Sequence, residues 1–449
     1  MTNFIRVLLV GVLVQFGWTG PAAAQDPPAE ASMTIDVVEI TGASRTNKAW
    51  VLSYLDLTPP LVLTQPMLGR IRAKLMTTDV FQRVRVSVQT GDRNTLVIDL
   101  LEKWTTIPVI RGAYGGGTPL SVLGVYDTHS FGRLWTLGAE SHKYGPSPAG
   151  FVTWAKAPRW LTGKHVLGFE LWREFRRRTI MTDDFDEIGV INTNTWMSRA
   201  ILLGPVADFF GLDDSNWQAG IELELRREAP VAFESKDSSS ADTVDPSVEP
   251  RGIRLSEQKS NVWSALPTGV WDNINIEDQD MAGTRLILKA GPLSDDVGTN
   301  TQFEIEAFQF FLWPEHWNLA LHGVMGASDS KALQAQYFLG GFDSIRGLPD
   351  GAIYGTHAAW ANAELRKLVG TWKYAKVQVA TFVDGGGAGR AWKDVQDQLH
   401  VTAGAGVRIA IPQVYRLMFR FDYAWGLGGK DTHGLSAGLN QFFQPYKPL

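Results

Sequence analysis

The sequence predicts a small α+β domain followed by an all-β barrel that crosses a membrane. Three observations carry that expectation. An export signal opens the chain. Helical periodicity is confined to roughly the first hundred residues. From about Ile107 onward, segment after segment alternates apolar and polar side chains with period two.

The first element is the signal. Arg6 precedes an uncharged apolar run from Val7 to Trp18. Pro21-Ala22-Ala23-Ala24-Gln25 then puts small residues at the two positions a signal peptidase reads. The run is shorter than the roughly 20 residues of a membrane-spanning helix. Residues 1–24 are therefore expected to be cleaved, and residues 25–33, opening "QDPPAEAS", read as a linker. No later segment offers 18 consecutive apolar residues, so any membrane embedding needs strands.

Residues 34–104 form the α+β unit. Ile35 to Thr41 is strand-like and ends at Gly42. Val51, Tyr54 and Leu55 share one helix face; Leu68, Ile71 and Leu75 share another, with Thr64 placed to cap it. Two alternating strands follow, carried by Val84, Val86 and Val88 and by Leu96, Ile98 and Leu100. The expected sheet has three strands with helices over one face. Ile35 to Thr41 is its expected free edge, short and charged at Asp36 and Glu39. An open edge there, at Asp36, Val38 and Glu39, could receive an extended peptide. The same charges could simply block aggregation.

Residues 107–443 are the barrel. Trp217, Ala219, Ile221, Leu223 and Leu225 alternate with Gln218, Gly220, Glu222, Glu224 and Arg226. Phe419, Phe421, Tyr423 and Trp425 alternate with Arg420 and Asp422. A soluble β-sandwich would hide such apolar faces; a membrane barrel turns them to lipid and keeps a polar lumen. Segments of about 9–11 residues suit an oblique crossing. The polar faces carry paired opposite charges, and 14 of the 17 tryptophans follow Ile107, many near strand ends, as interfacial girdles require. Only helices or closed barrels satisfy every backbone group in lipid. Residues 234–261, rich in Ser, Asp and Pro, read as a long extracellular loop, and 444–449 as a short tail.

Catalytic and metal signatures are missing from the sequence. There is no G-x-S-x-G and no H-E-x-x-H, and the eight histidines are scattered. The absence of cysteine excludes disulfides and cysteine-based zinc sites. Net charge is −5, with no basic excess to hold nucleic acid. The run Gly385 to Gly389 lacks a following Lys-Ser/Thr and reads as a flexible strand-to-loop exit rather than a phosphate loop. No cofactor is expected. A hydrolase site assembled from separate strands is the remaining enzymatic alternative.

One charge stands out. "GGFDSIRGL", Gly340 to Leu348, puts an arginine between Ile345 and Gly347 in a connection between strands. On the strands that follow, Asn362, Glu364 and Arg366 share one face, and Lys376, Gln378 and Asp384 share another. Barrel logic points Glu364 and Asp384 into the lumen. If the loop tucks inward, Arg346 can meet both carboxylates, because a planar guanidinium can serve two oxygen pairs. Gly340, Gly341 and Gly347 let the backbone turn back on itself.

At these residues the sequence resembles the outer-membrane assembly and translocation superfamily of the BamA and TamA type, also called bacterial surface antigens. "SIRGL" (Ser344 to Leu348) resembles its sixth-loop arginine motif. "ANAELR" (Ala361 to Arg366) and "FVDGG" (Phe382 to Gly386) resemble the strand motifs that receive that arginine. Residues 34–104 resemble a single POTRA (polypeptide-transport-associated) domain. Leu348 stands where the family usually has an aromatic, and the chain runs six residues past Phe443.

The resemblance implies sixteen antiparallel strands, an outer-membrane barrel with its POTRA domain in the periplasm, and no enzymatic activity. The 337 residues from Ile107 to Phe443 allow roughly 21 per strand and connection, which suits that count. It assigns Arg346 and Gly347 to the loop tip, Glu364 and Asp384 to its lumenal partners, and Gly385 and Gly386 to the second strand motif. The implied function is insertion or translocation of polypeptides. Implied partners are periplasmic polypeptide clients, outer-membrane lipids and an accessory periplasmic or lipoprotein partner. The alternative is a pore or a lipid or ligand transporter on the same scaffold.

The mature protein should begin at Gln25. Mass spectrometry of membrane-extracted protein checks this, and retention of Met1 would refute it.

Overall fold

A computed structural model describes residues 32–113, 118–160, 165–182, 185–206, 216–229, 231, 233–235, 259–277, 280–341, 344–414, 417–428 and 432–439. The expected signal, most of the linker, Phe443 and the tail lie outside these residues.

The α+β unit opens with β1 (Ser32–Ile35) and β2 (Val37–Thr41). Then come α1 (Lys48–Leu55), β3 (Leu61–Thr64), α2 (Gln65–Met76), β4 (Phe81–Gln89) and β5 (Thr95–Glu102). Two features differ from the sequence reading. The segment Ile35 to Thr41 is split at Asp36, and β1 pairs with β3 in a small separate sheet that begins inside the expected linker. The Thr64 side chain also makes no capping bond; Pro66 in the first turn needs no capped N–H there. α1 is capped by Asn47, whose side chain accepts from the Trp50 N–H at 3.0 Å.

The three-stranded sheet has the order β2-β5-β4, with β2 parallel to β5 and β4 antiparallel. Val51, Leu75, Phe81, Leu96 and Ile98 meet in one core between helices and sheet. β2 is an edge. Glu39 on it and Asp36 just before it are exposed, and Val38 is half-buried against the core.

Sixteen long strands then close into one antiparallel barrel. They are β6 (Thr106–Ala113), β7 (Leu120–Ser130), β8 (Trp135–Tyr144), β9 (Gly150–Trp160), β10 (His165–Met181), β11 (Glu187–Pro205) and β12 (Trp217–Glu228). Next are β14 (Ser260–Asp272), β16 (Asp280–Ser294), β17 (Thr299–Trp313) and β18 (Trp317–Ser328). The wall is completed by β21 (His357–Thr371), β22 (Lys376–Gly389), β23 (His400–Ala410), β24 (Met418–Gly426) and β25 (His433–Leu439). β25 returns to β6. Short β13 (Phe233–Ser235) and β15 (Asn275–Glu277) pair with β11 and β16; Glu234 in β13, and Ser260 and Asn261 in β14, all placed in the long loop by composition, therefore belong to strands. Several strands exceed the expected length, β11 reaching 19 residues.

The barrel is inside-out relative to a soluble protein. On β24, Phe421 and Trp425 are 48% and 50% exposed, while Asp422 is 1% exposed. Glu222, Glu364, Arg366, Asp384 and Arg408 are likewise buried toward the lumen. Trp313, Trp317 and Trp372 lie at one rim, and Trp196, Trp263 and Trp425 toward the other. The α+β unit sits at the rim with the shorter turns, which identifies it as the periplasmic end, since extracellular loops are the longer ones.

The β7–β8 turn fastens the α+β unit to the barrel. Its Leu134 joins the core of that unit. The Gly132 carbonyl accepts from the Asn47 N–H at 3.0 Å. Gly132 has φ +67, and a Cβ there would lie 2.2 Å from the Arg45 carbonyl, so no other residue fits. Arg45 reaches Asp127 on β7 at 3.0 Å, and Thr46 hydrogen-bonds His129 at 2.9 Å. Glu102 holds the Ser44–Thr46 segment in place. It accepts from the Ser44 and Thr46 hydroxyls at 2.7 and 2.6 Å and from the Arg45 and Thr46 N–H groups. Partial burial pushes its carboxyl up, but these four donors together hold it below its ordinary value.

A depressed carboxylate stabilises the fold above its unfolded pKa, and that stability is lost as pH falls through the folded value. Glu102→Gln should therefore loosen the joint by about 1–2 kcal/mol at neutral pH, allowing for its partial exposure. The difference from wild type should shrink in acid. Hydrogen exchange at residues 44–47 checks this, and an equal difference at all pH values would refute it.

Candidate functional site

The connection between β18 and β21 is long, and it folds inward. It contains β19 (Tyr337–Leu339) and β20 (Ile353–Gly355), paired as a small hairpin. Ile345 and Leu348 at its tip are buried with Leu339, Ile353, Ala358 and Ala388, where the leucine fills a packed apolar site. Gly340 has φ +114, and a Cβ there would lie 2.0 Å from the Pro349 carbonyl. The Gly341 N–H closes the turn onto the Leu348 carbonyl at 3.0 Å. Gly347 has φ +87 and packs against Ala424 of β24, which leaves little room for a side chain.

This turn delivers Arg346 to the lumen wall, where it is fully buried. Its Nε and Nη2 donate to the two oxygens of Asp384 at 2.7 and 2.9 Å. Its Nη1 donates to Glu364 at 2.8 Å and to Asp422 at 3.2 Å. Its backbone N–H also donates to Asp384, at 3.1 Å. The guanidinium carbon lies 3.4 Å from the centre of the Phe382 ring. A lysine could offer neither the fork nor the flat face.

The sequence placed Arg346 opposite Glu364 and Asp384; the structure brings all three together. Asp422, Arg366, Arg408 and Arg420 complete the network. Arg408 of β23 bridges Glu364 at 3.0 Å and Asp422 at 2.5 Å. Arg366 pairs with Glu364 at 2.8 Å, and Arg420 with Asp422 at 3.0 Å. The alternation of β21 and β24 already pointed Arg366, Arg420 and Asp422 inward, but it carried no sign of which would touch. Asn362 adds a donor to the Ser344 carbonyl at 2.7 Å.

Gly385 and Gly386 do not form a flexible exit. β22 continues as regular strand to Gly389, and at Gly386 a Cβ would collide with Trp360 of β21 at 2.5 Å. The glycines clear space for packing rather than for motion.

The loop is also tied to the opposite wall. Asp350 takes two bonds from Arg176 of β10, at 2.6 and 2.7 Å. Gln334 reaches Ser260 of β14 at 2.6 Å, and Arg226 of β12 donates to the Gln334 carbonyl. Counting the long strands, β10 is the fifth and β22 the thirteenth, half a turn apart. Arg346 and Asp350 are four residues apart, at most about 14 Å of extended chain. The lumen is therefore narrow at this level, and the loop crosses it.

Residues 279–443 match the Omp85 superfamily domain. An Omp85 superfamily domain thus spans the second half of the barrel.

The fold extends beyond that segment. BamA from Haemophilus ducreyi lacking POTRA domains 1-3 superposes with a TM-score of 0.55 at 15% identity, covering 91% of this chain and 84% of that one. CdiB from Acinetobacter baumannii gives 0.59 at 11% identity, covering 90% and 74%. CdiB from Escherichia coli gives 0.54 at 11%, covering 94% and 92%. Such low identities establish a shared fold. No curated protein sequence matches the chain. A barrel carrying this domain resides in the bacterial outer membrane.

Arg346→Ala should leave Glu364, Asp384 and Asp422 without their shared cation. Breaking a buried pair from one side costs about 3–5 kcal/mol. Arg346→Lys should cost less than alanine but more than nothing. Heat-modifiable mobility of the folded barrel on gels checks both, and wild-type behaviour of the alanine variant would refute the clamp.

Proposed function

We propose that this Omp85 barrel inserts or translocates polypeptides at the outer membrane, with the α+β unit acting as a single POTRA domain that docks periplasmic clients. The observation that carries this reading is the clamped loop. A loop tied to opposite walls by Arg346 and Asp350 leaves little room for passive flow. That weighs against a constitutively open pore on the same scaffold. It suits a barrel that handles its substrate by rearranging loop or wall.

The proposed docking edge is β2, at Asp36, Val38 and Glu39. Among the described residues β2 pairs on one side only, with β5, so its outer backbone groups can add an extended strand. Backbone pairing reads few side chains, which suits clients of many sequences. The firm joint through Gly132 and Leu134 would hold that edge at a set position beneath the barrel. Nothing in this role requires a cofactor.

Depletion of the protein tests the reading. Other outer-membrane or exported proteins should fall in abundance, and a photo-crosslinker at Glu39 should capture polypeptide. An unchanged protein complement with reduced uptake of a small solute would favour the transporter instead.

A further inference from the structure

Charged side chains are costly on the lipid-facing wall of a barrel, by about 2–4 kcal/mol at the midplane and about 0–1 near the interfaces. One row of this wall carries two arginines. Strand pairing aligns Phe151 of β9 with Arg173 of β10, Arg173 with Trp196 of β11, Trp196 with Arg227 of β12, and Arg227 with Asn261 of β14. Residues directly opposite one another share a face, so this row is continuous around the outside. Phe151 and Trp196 are exposed there, as is Arg227. The Arg173 guanidinium lies 5.1 Å from the Trp196 ring and 4.5 Å from Phe175.

The depth of the row follows from the strand. Trp217, facing Trp271 at 5.5 Å, marks the periplasmic girdle on β12. Arg227 lies ten residues further along. At about 3.4 Å per residue and a tilt of about 40°, that is roughly 26 Å along the membrane normal. The apolar band of such barrels is about 25 Å tall. Arg173 and Arg227 therefore sit where the outer-leaflet headgroups begin.

A cavity of about 540 Å³ opens at this point. Leu171, Trp196, Ser198 and Leu225 line its lipid side, and Arg227 and Lys259 line its upper rim. Among the described residues, the carboxylates on the rim are engaged elsewhere. Glu228 accepts from the Asn194 N–H and the Thr195 hydroxyl, Glu234 from Asn192, and Asp296 from the Asn261 N–H. Among the described residues, no carboxylate is paired with Arg173, Arg227 or Lys259. Arg173 spends its Nε on the neutral Asn194 amide at 3.3 Å.

We propose that this cleft binds a phosphorylated lipid of the outer leaflet, its phosphate held by Arg227 and Lys259 on the rim and by Arg173, which stands beside the cleft across Trp196, and its acyl chains lying on Leu171 and Leu225. Three cations at headgroup depth above an apolar floor match an anionic amphiphile from both ends. Trp196 lies between the two arginines as the interfacial anchor. The inference rests on the outer-membrane barrel alone and is independent of the proposed polypeptide function.

The test titrates the full mature protein in nonionic detergent with diphosphorylated lipid A, read by native mass spectrometry. A one-to-one adduct should form. The triple variant R173Q/R227Q/K259Q should raise the half-saturation concentration roughly tenfold or more. The control K393Q, which removes one charge from an exposed extracellular helix, should change nothing. Unchanged binding in the triple variant would overturn the site, as would equal binding of dephosphorylated lipid. Capture of inorganic phosphate in place of the lipid, with the same loss in the variant, would overturn the lipid as occupant. If the triple variant does not fold, R227Q alone should weaken binding about fivefold, and an unchanged value would overturn the proposal.

Discussion

The barrel depends on one buried guanidinium. Arg346 enters the lumen on an extracellular loop and meets carboxylates from β21, β22 and β24. Those carboxylates could not be gathered in a low-dielectric interior without cations among them. The four arginines and three acids of the network tie together four consecutive strands, and the backbone N–H of Arg346 adds the loop itself. Everything at the loop tip serves this placement. Gly340 and Gly347 supply the left-handed turn, Ile345 and Leu348 bury its sides, and Asp350 carries the far end to Arg176.

The consequence is a barrel whose lumen is crossed rather than open. Sixteen strands enclose a water-filled channel when nothing fills them. Here the loop binds both walls, and the residues between its anchors are too few for a wide gap. An element held by ion pairs on two sides has two natural ways to change, by release of either anchor. In the proposed role, that property makes the clamp the control point of a substrate-handling barrel.

The two ends of the molecule solve different problems. At the periplasmic end, a glycine turn and a hydrogen-bonded Glu102 join a small apolar core to the barrel rim. This joint limits how the edge strand β2 can swing. At the extracellular end, the wall must meet a charged leaflet. The alternating row of aromatic and cationic residues from Phe151 to Arg227 answers that boundary, with rings at the apolar edge and guanidiniums at the headgroups.

Much of this was legible in the residue order, because the barrel imposes a strict period of two. Phe419, Phe421, Tyr423 and Trp425 had to face one side and Arg420 and Asp422 the other, whatever their partners. The inward pointing of Glu364 and Asp384 was readable for the same reason, and the motif around Arg346 supplied their cation. What the period could not supply was proximity between strands. Arg408 and Asp422 lie fourteen residues apart in sequence, and only the β23–β24 register brings them together. Asp350 finds Arg176 across 174 positions, by the curvature of the closed sheet. Composition misjudged Glu234 and Ser260, which strand pairing draws out of the loop, and it read the Gly385–Gly386 run as flexible where packing against Trp360 demands glycine at Gly386. The sequence by itself determined which side of each strand meets lipid, since that is a local alternation. The tertiary structure decided which charges meet in the lumen, since that depends on register, closure and the path of one loop.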